Sequence, residues 1–202
     1  MGVLGHRDRE AARGRRGQVT TRLVLVRHGR PAAGWTEDAD PGLDEVGQEQ
    51  AVAMAESLAP SGPLPIFTSP LRRTRETAAA LERRWAADAV VDPGIAELPT
   101  PAHLGVGDRG PWLRSLLGGM WDDADPDYRR WRGSVLEALL GHRDDAVLVS
   151  HFVAINVAVG AATGDDRVTC FRPDHCSRTV LEVHDGRLRV VDLGAEAATT
   201  VQ

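Results

Sequence analysis

Two histidines stand where apolar runs stop. "LVLVRHG" (23–29) closes on Arg27, His28 and Gly29, and "AVLVSH" (146–151) closes on His151. Unbroken Leu/Val runs of this length mark strands buried on both faces of a sheet. In layered parallel sheets, ligands bind in the crevice beyond the carboxyl ends of the strands, so Arg27, His28 and His151 are predicted to share one rim. An arginine and two imidazoles gathered there make an anion site, with one imidazole free to act as nucleophile. Gly29 removes a side chain that would crowd an incoming group and lets its backbone N–H approach an oxyanion.

The elements that must position these residues alternate between strand and helix. Residues 44–59 are helical by period with Asp44 as N-cap, and 64–86 read as a short strand and then a helix capped by Ser69 with Pro70 at its first position. Residues 89–98 look like a short strand leading into a loop. "PWLRSLLGGMW" (111–121) and "PDYRRWRGSVLEALLGH" (126–142) are helical segments, and "FVAINVAVGAATG" (152–164) is an apolar helix closed by Gly164. "TVLEVHDGRLRVVDL" (179–193) is a hairpin turning at Asp185 and Gly186. The tryptophans at 112, 121 and 131 fit helical packing in the core. This order predicts an α/β fold, a three-layer α/β/α sandwich around a mostly parallel sheet.

Length and composition bound the rest. At 202 residues, 42% of them hydrophobic, the chain suits one domain, placed at 21–194, between a disordered basic tail (1–20) and a C-terminal tail (195–202). All 24 cationic residues are arginine, so no single arginine is informative by its type. The first twenty residues carry +3, which leaves −8 of the net −5 for the remainder, and a basic nucleic-acid face is not indicated. No apolar run approaches the ~20 residues a bilayer-spanning helix needs, and no secretory signal is evident, so a cytoplasmic protein without membrane or nucleic-acid partners is expected. Cys170 and Cys176 have no zinc-site spacing and read as reduced thiols.

Five blocks in order and spacing, "LVLVRHGRP" (23–31), "LDEVGQEQA" (43–51), "TSPLRRTRETA" (68–78), "AEL" (96–98) and "VLVSHF" (147–152), resemble the histidine phosphatase superfamily, the phosphoglycerate mutase-like fold. The resemblance spans about residues 21–194 and implies a transient phosphohistidine. It puts His28 in the nucleophile's place, Arg27 and Arg73 in those of the phosphate clamps, His151 in that of the second, phosphate-binding histidine, and Glu97 in that of the proton donor. Arg72 competes with Arg73, and His103 or Asp108 stands next in line should the donor not be Glu97. His142, His175 and His184 read as ordinary surface or loop residues.

Those roles suit a phosphomonoester dianion. Guanidinium forks grip its oxygens, a neutral His28 attacks phosphorus, His151 adds a third positive group if it is cationic when the phosphate is bound, and Glu97 protonates the leaving alkoxide before activating water. No metal or cofactor is called for. Two positions depart from the family pattern: Gly34 stands where many members have a phosphate-binding asparagine, and Phe152 follows the second histidine in place of glycine, narrowing the space beside it. Arg30 offers a substitute cation. The expected function is a metal-independent phosphomonoesterase acting on a small phosphorylated metabolite, its partner a small-molecule substrate, with the oligomeric state left open between monomer and homodimer. The alternatives are a phosphoglycerate-type mutase and a non-catalytic phosphate-binding module of the same fold. The acidic centre of "WDDADPDYRRW" (121–131), read as a lid that repels a bisphosphorylated cofactor, favours the phosphatase.

Overall fold

Alternate residues of the central strands belong to two different cores. The computed structural model describes residues 20–34, 37–38 and 40–197. Strand β1 (Thr21–Arg27) sends Leu23 and Leu25 to one side and Val24 and Val26 to the other, and β4 (Ala146–Ser150) divides Ala146 and Leu148 from Val147 and Val149 in the same way. Both faces are therefore apolar, which is why these strands read as unbroken hydrophobic runs.

One side is covered by α1 (Glu45–Leu58) and α2 (Arg72–Trp85), through Met54, Leu58, Ala78 and Leu81. The other is covered by α4 (Pro126–Gly141) and α5 (Phe152–Thr163), through Val135, Leu139, Ile155 and Val159. Helix α3 (Val106–Leu117) leans on this second core with Trp112 and Leu116, and Trp121 is wholly buried in it. The expected three-layer sandwich is present.

With β2 (Ile66–Thr68), β3 (Val90–Val91), β5 (Arg178–His184) and β6 (Arg187–Asp192), the sheet has the order β3-β2-β4-β1-β5-β6. Strands β3, β2, β4 and β1 are parallel neighbours, and β5 runs against both β1 and β6. Pairing of Arg27 with Ser150 and of Thr68 with Val149 brings the carboxyl ends of β1, β4 and β2 to one edge. Because β5 is antiparallel, it begins at that same edge, so the loop before it joins the rim. The β5–β6 hairpin turns at Asp185 (φ 50°) and Gly186 (φ 70°), as its sequence predicts.

Local expectations were met unevenly. Asp44 caps α1 through Gly47 N (2.7 Å), and Gly164 closes α5 in the left-handed region at φ 72°. Ser69 does not cap α2, which starts at Arg72. Asp40, far away in sequence, accepts the Arg72 N–H instead (2.8 Å), and the Ser69 hydroxyl is spent on His151. The expected basic tail lies outside the described residues apart from Thr20. Of the expected C-terminal tail, residues 195–197 are described, and Asp174 N–Ala195 O (3.0 Å) and Ala197 N–Arg172 O (2.9 Å) tie them to the loop before β5. No helix among the described residues is long and apolar enough to cross a membrane.

Candidate active site

Four of the five expected residues line one cavity of about 620 Å³ at the carboxyl edge of the sheet: Arg27, His28, Arg73 and Glu97. The fifth, His151, lies behind it, with its ring centroid 5.3 Å from that of His28. All but Glu97 are buried: His151 is 0% exposed, Arg73 2%, His28 6% and Arg27 7%. A larger, open groove of about 1200 Å³ lies at the far end of β5 and β6, beside Leu136, Leu140 and Leu188, and contains none of these groups.

Each residue is held from more than one direction. Arg27 ends β1, its Nη1 donates to Pro173 O (2.9 Å), and its guanidinium lies 5.3 Å from the Phe152 ring centroid. Phe152, expected only to narrow the site, thus supplies an aromatic face for the arginine. His28 N donates to Ser150 O (3.0 Å), linking the two strand ends, and its Nδ1 lies 2.8 Å from Gly29 O. A carbonyl can only accept, so Nδ1 carries the proton and Nε2 keeps a lone pair, toward which Arg73 Nε donates at 3.2 Å. The competing Arg72 faces outward, paired with Glu76.

Gly29 serves a different purpose from the expected one. Its N–H donates to Thr77 Oγ1 (3.0 Å) on α2, and a Cβ on it would stand 2.6 Å from Gly47 O. The glycine lets the loop after β1 lie against α1 and docks it on the helix turn that carries Arg73, since Thr77 also donates to Arg73 O (2.7 Å). Glu97 stands between the buried Ile95 and Leu98, and Ser150 Oγ donates to Ile95 O (2.8 Å), which fixes this loop to the end of β4. Leu98 N donates to Glu97 Oε1 (2.9 Å).

Burial and like charge set the protonation states. His28 is pushed well below the ordinary histidine value, first by desolvation and then by Arg73 and Arg27, and His151 likewise by desolvation, His28 and the two arginines. Both are held neutral at neutral pH, so a cationic His151 would require a bound phosphate to offset these effects. Desolvation raises Glu97 above the ordinary carboxyl value, opposed by the Leu98 N–H and by Arg73. The Ser69 hydroxyl accepts from Leu71 N (3.4 Å) and lies 2.7 Å from His151 Nε2; with the serine taken as donor there, the His151 proton is assigned to Nδ1. Among the described residues that Nδ1, Arg27 Nε and Arg73 Nη1 are buried without a hydrogen-bond partner. Buried donors of this kind in one cluster with His28 suit an oxyanion, and Asp40 Oδ1 lies 3.9 Å from the same Arg73 Nη1.

One cavity residue escaped sequence reasoning. His175 lies in the loop before β5, with its ring 5.8 Å from that of His28, and desolvation and Arg27 hold its pKa at about 4. Only the antiparallel placement of β5 brings it here. His103 and Asp108 are exposed and do not line the cavity, and His142 packs on Phe67. The segment 121–131 does not line it either: Trp121 draws it into the core, and α3 forms the cavity wall through Leu113 and Leu117. The acidic lid is therefore absent. No group of three or more His, Cys, Asp or Glu able to hold a metal occurs among the described residues.

The sequence model of the histidine phosphatase superfamily (branch 1) matches residues 23–105. The chain belongs to the histidine phosphatase superfamily. Glucosyl-3-phosphoglycerate phosphatase of Mycolicibacterium vanbaalenii is 32% identical over 156 residues, 72% of this chain and 65% of that protein. Phosphoserine phosphatase 1 of Hydrogenobacter thermophilus is 25% identical over 85% of this chain and 91% of its own length. Of a bifunctional protein of Mycobacterium tuberculosis, 32% identical, this chain spans only 44%. A solved structure of a mycobacterial glucosyl-3-phosphoglycerate phosphatase complexed with VO3 superposes with a TM-score of 0.64 at 26% identity, over 87% of this chain and all of that one.

Proposed function

We propose that the protein is a phosphomonoesterase that hydrolyses a small phosphorylated metabolite through a phosphohistidine on His28. The observation that carries this reading is the His28 ring, fixed through Nδ1 by Gly29 O so that the Nε2 lone pair faces Arg73, beside buried donors that lack hydrogen-bond partners. The superfamily relatives named as phosphatases support it.

Arg73 Nε–H caps the His28 lone pair. A phosphoryl group draws the guanidinium to its own oxygens, since a charge-assisted hydrogen bond to an anion is roughly twice as strong as one to a neutral acceptor. His28 Nε2 is thereby released to attack phosphorus. The N–P bond forms as the P–O bond to the alcohol breaks, and protonated Glu97 gives its proton to the leaving oxygen. Glu97, now a carboxylate, takes a proton from the water that attacks phosphohistidine, releasing inorganic phosphate and restoring neutral His28. Arg27, Arg73 and the His151 Nδ1–H hold the equatorial oxygens throughout, so catalysis is mainly positioning and charge stabilisation.

The test is hydrolysis of p-nitrophenyl phosphate in excess chelator, together with acid-labile, base-stable labelling by a phosphodonor. Both are expected for the native protein. His28→Ala is expected to abolish the label and lower kcat by several orders of magnitude. Unchanged turnover in that variant would overturn the mechanism, and a folded native protein without turnover would promote the binding-module reading.

A further inference from the structure

We propose that His175 is a further catalytic residue, its imidazole N–H donating a hydrogen bond to an oxygen of the phosphoryl group that His28 takes. This rests on the phosphatase reading above and adds to it a donor from the loop before β5.

The loop that carries His175 is built onto the residue that precedes the nucleophile. Pro173 O accepts from Arg27 Nη1 (2.9 Å), Cys176 N donates to Arg27 O (2.9 Å), and Ser177 O accepts from Arg27 N (3.3 Å). Asp174 N donates to Ala195 O (3.0 Å), and Asp174 Oδ1 accepts the His175 backbone N–H (2.8 Å), so His175 is held from both sides. Its ring is thereby placed relative to His28, with centroids 5.8 Å apart and planes crossing at 49°. A hydrogen-bonded oxygen sits about 2.7–3.2 Å from a nitrogen. Rings at this spacing leave room for the oxygen of a group carried by one to reach the other, and both line the same cavity.

The ring has no other task among the described residues. Neither of its nitrogens makes a hydrogen bond there: Asp174 Oδ1 lies 4.0 Å from Nδ1, beyond hydrogen-bond reach, and already serves the backbone N–H. A side chain only 22% exposed ordinarily finds a partner for its polar atoms. The charged groups around it are Arg27 and Arg30 on one side of the balance and Asp174 and Asp44 on the other, and Asp44 is engaged by Arg30 and Gly47 N. Desolvation and Arg27 keep the imidazole neutral, so it offers one N–H and one lone pair. A neutral donor gives the phosphoryl oxygens a directed contact without setting a further cation beside Arg27. Its effect is largest where charge builds on those oxygens in the transition state.

The experiment measures kcat/KM for p-nitrophenyl phosphate, and inhibition by orthovanadate as a mimic of the pentacoordinate phosphoryl group, in the purified full chain and in His175→Phe, His175→Asn and His175→Gln. Phenylalanine keeps a flat ring and removes the donor, whereas the amides return an N–H near the place of Nδ1 or of Nε2. His175→Phe is expected to lower kcat/KM and to weaken vanadate inhibition by about tenfold to a hundredfold each, as loss of one hydrogen bond to a charged group gives. One of the two amides should recover part of both. NMR of nitrogen-labelled histidine rings reads the contact in the native protein, where orthovanadate should shift the ring resonance that is missing from His175→Gln. A His175→Phe protein as active and as vanadate-sensitive as the native one, equal losses in all three variants, or an unshifted His175 resonance at vanadate saturation overturns the assignment and leaves the phosphatase reading standing. A native protein that neither hydrolyses p-nitrophenyl phosphate nor binds orthovanadate overturns the phosphatase reading and the assignment with it.

Discussion

His28 and His151 sit side by side under the same two arginines, yet their hydrogen bonds give them opposite faces. Gly29 O takes the proton of His28 at Nδ1 and leaves a nucleophilic lone pair; Ser69 takes the Nε2 of His151 and leaves a donor. Glu97 completes the proposed set because desolvation of its half-buried carboxyl favours the protonated form. In the proposed mechanism the productive free form has His28 neutral and Glu97 protonated. Since the pKa of His28 is lowered and that of Glu97 raised, the pH window of this form is widened at both ends, and kcat/KM for alkyl phosphates is expected to fall as pH rises through the Glu97 pKa. Glu97→Gln should lower kcat on alkyl phosphates by about 10²–10⁴-fold, the usual range for general acid catalysis, and remove that alkaline limb. The same variant should harm p-nitrophenyl phosphate far less, because p-nitrophenolate leaves without a proton. Parallel pH–rate profiles on both esters check this. Equal losses on the two would assign Glu97 to dephosphorylation or to structure.

At the scale of elements, the legible part of the site was the part built on parallel strands. Runs ending in Arg27, His28 and His151 could be placed at one rim because both faces of β1 and β4 are buried, which the sequence displays directly. Arg73 and Glu97 came from family spacing alone, as an arginine on a helix or a carboxylate in a loop is ordinarily solvent-exposed. His175 was hidden because its place depends on β5 running antiparallel, a pairing that no local pattern announces. The Asp40 contact to the start of α2 was hidden for a similar reason, as it spans 32 residues of sequence. Glycines show how tightly these elements are fitted. A Cβ on Gly47 would meet Arg30 O at 2.2 Å, backbone against backbone, whereas a Cβ on Gly133 in α4 would meet nothing within 4 Å. Gly47→Ala is therefore expected to destabilise by about 1–3 kcal/mol, as overpacking does, and to weaken turnover by displacing the loop that carries His28. Gly133→Ala should stabilise by up to about 1 kcal/mol, or roughly 2–4 °C in Tm for a chain of this size. Thermal melts of the two variants beside the native protein check the contrast; a stable, fully active Gly47→Ala would mean that the contact is softer than the geometry indicates.

For the molecule as a whole, the proposed mechanism raises the question of where the phosphoryl group goes once His28 has taken it. A mutase must keep phosphohistidine dry until a second hydroxyl of the bound acid returns to it, and it must hold a bisphosphorylated species while doing so. This chain has the first phosphate cradle but little for a second phosphoryl dianion. Beyond the cradle, Arg30 is the one cavity-lining cation among the described residues and is already paired with Asp44, while Glu37 and Asp174 stand on the same rim. The wall contributed by α3 presents Leu113 and Leu117, not cations. The acidic segment 121–131 plays no part, because it is anchored in the core by Trp121, so the argument rests on these cavity residues. A single arginine already paired with Asp44 offers little to the second phosphate of a bisphosphate. Net release of inorganic phosphate is therefore expected from small phosphomonoesters, with negligible interconversion of 2- and 3-phosphoglycerate even when the bisphosphate is supplied. Coupled assays of phosphate release and of isomerisation, run on the same preparation, decide the matter: isomerisation faster than phosphate release would make the protein a mutase and require the cavity to bind a second phosphoryl group through contacts that form only on closure.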